Sequence, residues 1–104
     1  MTEIYTVGIW TAKAGREEEF VAAWRAMGEA TIEEFPAAHG RLLRDIDNPH
    51  RFISFGPWES LETVDAWRAS APFQQGVAHI RELLDAFEPG TYEVIAEVST
   101  SGSR

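Results

Sequence analysis

Apolar and polar positions along the chain switch between two periods, and the switches mark the elements. Residues 3–11, EIYTVGIWT, are rich in β-branched and aromatic side chains and read as a strand. One face would carry Tyr5, Val7 and Ile9, the other Ile4 and Trp10 beside Thr6 and Gly8. After the turn Lys13-Ala14-Gly15, three glutamates (Glu17, Glu18, Glu19) put negative charge where a helix dipole favours it. Phe20, Trp24, Met27, Thr31 and Phe35 then recur at three- and four-residue steps, the stripe of one helix face, until Pro36.

Residues 41–46 and 51–55 read as two strands joined by Asp47-Asn48-Pro49-His50, a hairpin with Leu43, Ile53 and Phe55 toward the core. The chain is expected to leave the second strand through Gly56-Pro57. Ser60 is an N-cap for a helix that turns Leu61, Val64 and Trp67 inward. Ser70-Ala71-Pro72 breaks it, and Pro72 suits the first turn of a further helix. There Phe73, Val77, Ile80, Leu84 and Phe87 form a stripe that Pro89-Gly90 would end, leaving residues 91–98 as the last strand. Residues 1–98 are thus expected to form one domain, and residues 99–104 a polar, mobile tail.

The order β-α-β-β-α-β is that of a split βαβ motif. A short internal echo accompanies it. Gly8-Ile9-Trp10 and Gly56-Pro57-Trp58 each precede a helix, one with Val21-Ala22-Ala23-Trp24-Arg25-Ala26 and the other with Val64-Asp65-Ala66-Trp67-Arg68-Ala69. Two helices cover one face of a four-stranded antiparallel sheet. The other face, expected to carry Trp10 or its neighbours, would stay apolar and wet, which predicts a homodimer stacked sheet to sheet.

Composition narrows the function. With 104 residues the chain holds one two-layer core. No cysteine means no disulfide, thiolate metal site or cysteine nucleophile. A formal charge of −8 with scattered basic residues argues against nucleic acid and anionic membranes as partners. No apolar run suffices to cross a bilayer and the start lacks a signal-peptide pattern, so a cytoplasmic location is expected.

The stretch from Phe52 to Phe55, Gly56, Trp58-Glu59-Ser60, Trp67 and Phe73, together with the opening Lys13-Ala14-Gly15 and Glu18-Glu19-Phe20, resembles the antibiotic biosynthesis monooxygenase superfamily from about Ile4 to Val98. The resemblance implies a ferredoxin-like α+β fold, a dimeric α+β barrel, and a pocket between sheet and helices. It also implies one of several activities: cofactor-free oxygenation of aromatic substrates by dioxygen, haem binding and degradation, or ligand carriage without turnover.

Trp58 matches the pocket tryptophan of the cofactor-free oxygenases, whose asparagine and arginine positions fall here on Ser54 and about Ala78. Trp67 matches the tryptophan of haem-degrading members, whose asparagine and histidine positions fall on Val7 and near Val77. Each tryptophan has packing as its alternative role. The expectation is a cofactor-independent monooxygenase of a small aromatic or polyketide-like substrate, with haem as the alternative cofactor. His79 would manage a proton, since imidazole changes charge near neutral pH, or else sit on a helix flank with no part in the site. Ser54 would orient an oxygen, and Trp58, Trp67, Phe73, Phe55 and Trp24 would line the pocket. Gly28 and Gly76 would remove bulk from its helical walls. No metal-binding motif is present.

Overall fold

The computed structural model describes residues 3–99. The elements are β1 (Ile4–Ala12), α1 (Glu17–Glu34), β2 (Arg41–Arg44), β3 (Arg51–Trp58), α2 (Leu61–Ala69), α3 (Ala71–Arg81) and β4 (Leu84–Glu93). The strands form one antiparallel sheet in the order β2-β3-β1-β4, with the helices on one face, a ferredoxin-like α+β fold. The part of the expected tail from residue 100 onward lies outside the described residues.

Local chemistry explains most boundaries. Gly15 takes the left-handed conformation (φ 84°) that closes the turn into α1. Ser60 caps α2 by accepting a hydrogen bond from the Thr63 amide at 3.1 Å. Pro72 lies in the first turn of α3, where its missing N–H breaks no helical bond.

The C-terminal third departs from the expected pattern. α3 ends at Arg81, and Leu84 to Glu93 form a strand that pairs with β1, so Pro89-Gly90 terminates no helix. Residues 94–99 carry no regular structure, although the Val94 amide donates to the Glu3 carbonyl at 3.0 Å. β4 is an edge strand, where proline is tolerated. Its register slips between Thr11 and Ala12, so both Leu84 and Phe87 reach the helical side, three residues apart. That spacing imitates the helical period. Likewise the exit at Gly56-Pro57 is no exit: β3 runs on to Trp58, past the end of the shorter β2.

Which sheet face is covered also differs. Directly paired residues share a face, and Ile4, Gly8, Trp10 and Ala12 of β1 lie with Phe52 and Gly56 of β3 under the helices, all buried. Trp10 is 3% exposed and belongs to the core, not to the uncovered face. Phe52 is a core residue, whereas Leu43 is 49% exposed, and Ile53 and Phe55 are half-buried on the far face with Tyr5, Val7 and Ile9. Phe20, Phe52, Val64 and Ile80 are the largest fully buried side chains. Each contributes about 1.5–3 kcal/mol by leaving water. Phe20 joins the layers, with its ring 4.9 Å from Phe52 and 5.4 Å from Trp10.

Candidate active site

One end of the sheet–helix interface is not filled. Between β1, β3, α1 and α2 lies a cavity of about 250 Å³, lined mainly by aromatic side chains and bare backbone. Its aromatic wall is continuous. Trp58 and Trp67 are 4.8 Å apart between ring centroids and Phe73 meets Trp67 edge-on at 4.6 Å, while Phe35 backs Trp58 edge-on at 6.1 Å from outside the lining. Such tilted and edge-on contacts hold aromatic rings in fixed orientations.

Three indoles are tied to hydroxyls. Trp10 Nε1 donates to Ser54 Oγ at 2.9 Å, Trp58 Nε1 to Thr6 Oγ1 at 3.0 Å, and Trp67 Nε1 to Thr31 Oγ1 at 3.1 Å. Each bond joins different elements: the first two cross between β1 and β3, and the third joins α2 to α1. All six residues line the cavity. Gly8 and Gly56 share that face and let neighbouring groups pack down on the sheet. A Cβ at Gly8 would stand 2.9 Å from both Ser54 Oγ and Trp10 Nε1, so the Trp10–Ser54 bond requires glycine there.

The charged lining comes from Arg25 and Glu29 of α1, His39 of the loop before β2, and Arg68 of α2. Arg68 is half-buried and donates to Thr91 Oγ1 at 2.7 Å and to the Gly90 carbonyl at 3.3 Å. Both acceptors are neutral, and Arg68 has no carboxylate partner among the described residues. A cation held this way is available to an anion in the cavity.

The expected site residues separate into two groups. Ser54, Trp58, Trp67, Phe73, Trp24 and Gly28 all line the cavity, whereas Phe55 borders it from a strand position whose side chain lies on the far face of the sheet. His79 and Gly76 do not. Both border a shallow groove between α1 and α3 that includes Glu19 and Pro72, on the other side of the helical layer. His79 is exposed, so α3 does not bring its imidazole to the aromatic wall. At Gly76 a Cβ would stand 2.5–2.9 Å from side-chain atoms of Met27, so this glycine lets α3 approach α1. Gly28 has open space where its Cβ would be, and it does widen the cavity.

Among the lining residues, Thr6, Thr31, His39 and Arg68 were not expected at the site. The repeated Gly-x-Trp in the two strands was the available signal for Thr6, which stands two residues before Gly8 as Ser54 stands before Gly56. Nothing local marked His39, because a long-range close approach places it. Its carbonyl oxygen would be 2.3 Å from a Cβ at position 56, so only glycine in β3 lets that loop lie down.

The residues do not suit haem. Of the three histidines only His39 borders the cavity, from an exposed loop, while His50 pairs with Glu17 and His79 lies in the outer groove. The cavity is smaller than the roughly 300–1,000 Å³ typical of drug-sized ligands. Among the described residues no three His, Cys, Asp or Glu side chains gather where they could hold a metal ion. No helix there is long and apolar enough to cross a membrane.

The fold and the cavity define a ferredoxin-like α+β protein with an aromatic-lined hollow between its sheet and helices. Residues 4–79 match the family model for antibiotic biosynthesis monooxygenases, and the chain belongs to that family. Solved structures share its fold. SnoaB of Streptomyces nogalater, described as a cofactor-independent oxygenase, is 20% identical with a TM-score of 0.78, over 94% of this chain and 96% of that one. A protein of Shewanella oneidensis is 23% identical with a TM-score of 0.78, covering 89% of this chain and 91% of its own. A conserved protein of Methanosarcina mazei is 21% identical with a TM-score of 0.73, covering 88% and 92%. No curated protein matches the sequence.

Proposed function

We propose that the protein is a cofactor-independent monooxygenase of a small aromatic substrate. The observation that carries this reading is the aromatic cavity whose polar lining consists mainly of donors: hydroxyls at the sheet and a guanidinium at the side. Trp58, Trp67 and Phe73 would hold the ring, Ser54 would orient one of its oxygens, and Arg68 would stabilise negative charge as it develops. His39 takes the place of His79 as proton acceptor, since it is the histidine beside the cavity.

The chemistry balances without a reductant. A phenol loses its proton, and the electron-rich ring transfers electrons to dioxygen and forms a carbon–oxygen bond, giving a ring hydroperoxide. Loss of water then breaks the oxygen–oxygen bond and leaves a carbonyl. One oxygen atom stays in the quinone, and the other departs as water with the hydroxyl proton and the ring hydrogen. The substrate supplies all four electrons.

A second copy belongs to this reading. The face carrying Tyr5, Val7, Ile9, Ile53 and Phe55 has no helix over it among the described residues, and an isologous sheet-to-sheet contact would cover it.

The test is oxygen uptake with a panel of naphthols and anthrones, followed at an oxygen electrode and by quinone absorbance. Turnover in wild type, at least tenfold slower in His39→Ala and unchanged in His79→Ala, supports the reading. Binding of the panel with no uptake overturns it in favour of a carrier.

A further inference from the structure

The floor of the cavity carries an inference that rests on the small-aromatic reading and deepens it. On the helical face Thr6, Gly8 and Trp10 alternate along β1, and Ser54, Gly56 and Trp58 alternate along β3. In register Thr6 lies opposite Gly56, and Gly8 opposite Ser54. The four make a square with hydroxyls on one diagonal and glycines on the other. Each strand's tryptophan donates to the other strand's hydroxyl, so the two halves are related by a local twofold about the Val7–Phe55 pair.

This crossing fixes what the hydroxyls can do. An indole N–H only donates, and a hydroxyl both donates and accepts. Ser54 and Thr6 therefore accept from the indoles and keep their own protons. Neither hydroxyl has a second partner among the described residues. A Cβ at Gly8 would meet the Trp10 indole and one at Gly56 the His39 carbonyl, so the glycines let those groups pack down on the sheet while both hydroxyls still border the cavity. Diagonal neighbours on paired strands stand about 7–8 Å apart at most, a distance one ring system can bridge. A cavity of roughly 150 Å³ takes one benzene ring, so about 250 Å³ suits a two-ring frame.

We propose that Thr6 and Ser54 are a matched pair of hydrogen-bond donors for two acceptor oxygens, carbonyl or phenolate, on one two-ring aromatic ligand. Trp58 and Trp10 are positioning residues that keep those hydroxyls donating. The site thereby selects acceptors and discriminates against the bare hydrocarbon of the same shape, because a buried donor left without a partner is costly.

The experiment compares 1,4-naphthoquinone with naphthalene by calorimetry, in the absence of turnover. The chain has no cysteine for the quinone to alkylate. Wild type binds the naphthoquinone at least tenfold more tightly. Thr6→Val and Ser54→Ala each weaken it about five- to tenfold, the scale of one lost hydrogen bond, and leave naphthalene within about twofold. Thr6→Ser restores the affinity. Trp58→Phe frees the Thr6 hydroxyl to rotate and loses part of the discrimination. Equal affinities of wild type for the two ligands overturn the proposal without any variant, as does parallel weakening of both ligands. Oxygen uptake is read separately. Discrimination without turnover leaves the donor pair standing and removes the oxygenase, and turnover without discrimination does the reverse.

Discussion

Trp58 reaches across the sheet to donate its indole proton to Thr6 at 3.0 Å, and Trp10 makes the mirrored bond to Ser54 at 2.9 Å. Removing the acceptor leaves a part-buried donor without a partner. Thr6→Val is expected to lower unfolding free energy by about 1–2 kcal/mol, and Thr6→Ser by less than half of that. Urea denaturation of the three proteins checks this. An unchanged midpoint in the valine variant would show that water reaches that indole.

Gly28 and Gly76 lie on facing helices yet respond oppositely to a methyl group. Nothing stands within 4 Å of a Cβ at Gly28, so Gly28→Ala should gain about 0.5–1 kcal/mol of helix stability. The same methyl narrows the cavity, and ligand affinity falls. Gly76→Ala meets Met27 and should cost about 1–3 kcal/mol, with any change in affinity coming through the displaced Met27 side chain that lines the cavity. Thermal denaturation and ligand titration of both variants separate the two roles.

Arg68→Met keeps the length of the side chain and removes its charge and its bonds to Thr91 and Gly90. Affinity for a naphthoate or naphtholate probe is expected to fall about tenfold, and affinity for naphthalene to hold. Equal losses for charged and neutral probes would assign Arg68 to anchoring β4 alone.

Acid should weaken the start of α1. The Glu17 carboxyl is held below its ordinary value of 4.5, first by its own backbone amide and then by His50. Glu19 is held below 4.5 chiefly by its hydrogen bond from Arg16. Carboxyls lowered on folding stabilise the fold above the ordinary value and lose that contribution as pH falls through the lowered one. Stability therefore declines below about pH 4.5, and Glu17→Gln makes the decline shallower. The groups lie at the surface, so the difference should be small and shrink in high salt. Denaturation midpoints across the acid range measure it.

Ile53→Asp places a charge in the middle of the uncovered sheet face. Sedimentation should show a dimer in wild type and a monomer in this variant, with the core undisturbed because Ile53 faces away from it. A monomeric wild type would remove the second copy from the functional reading.

Strand and helix order was readable because most apolar stripes are local. The first strand, the capped helix after Ser60 and the break before Pro72 all follow from neighbours within a turn. The last strand was hidden by its bulge, which gives Leu84 and Phe87 a helix-like spacing. The choice of covered face was hidden as well, since both faces of β1 are apolar and only the partners of Trp10 and Phe52 decide it. Six of the expected pocket residues were legible from their positions on the strands and helices, whereas Phe55 alternates to the far face. His79 was not separable from them, because its angular position says nothing about which side of the helical layer holds the hollow. Thr6 and Arg68 owe their roles to partners more than twenty residues away.

Gly56 has a consequence for the proposed chemistry. The carbonyl of His39 rests where a side chain at that position would begin, so the spacing between that loop and β3 is set by an atom that is missing. Alanine there would push the His39–Gly40 backbone away from β3. On the reading proposed above, the phenolic proton would then lose its acceptor.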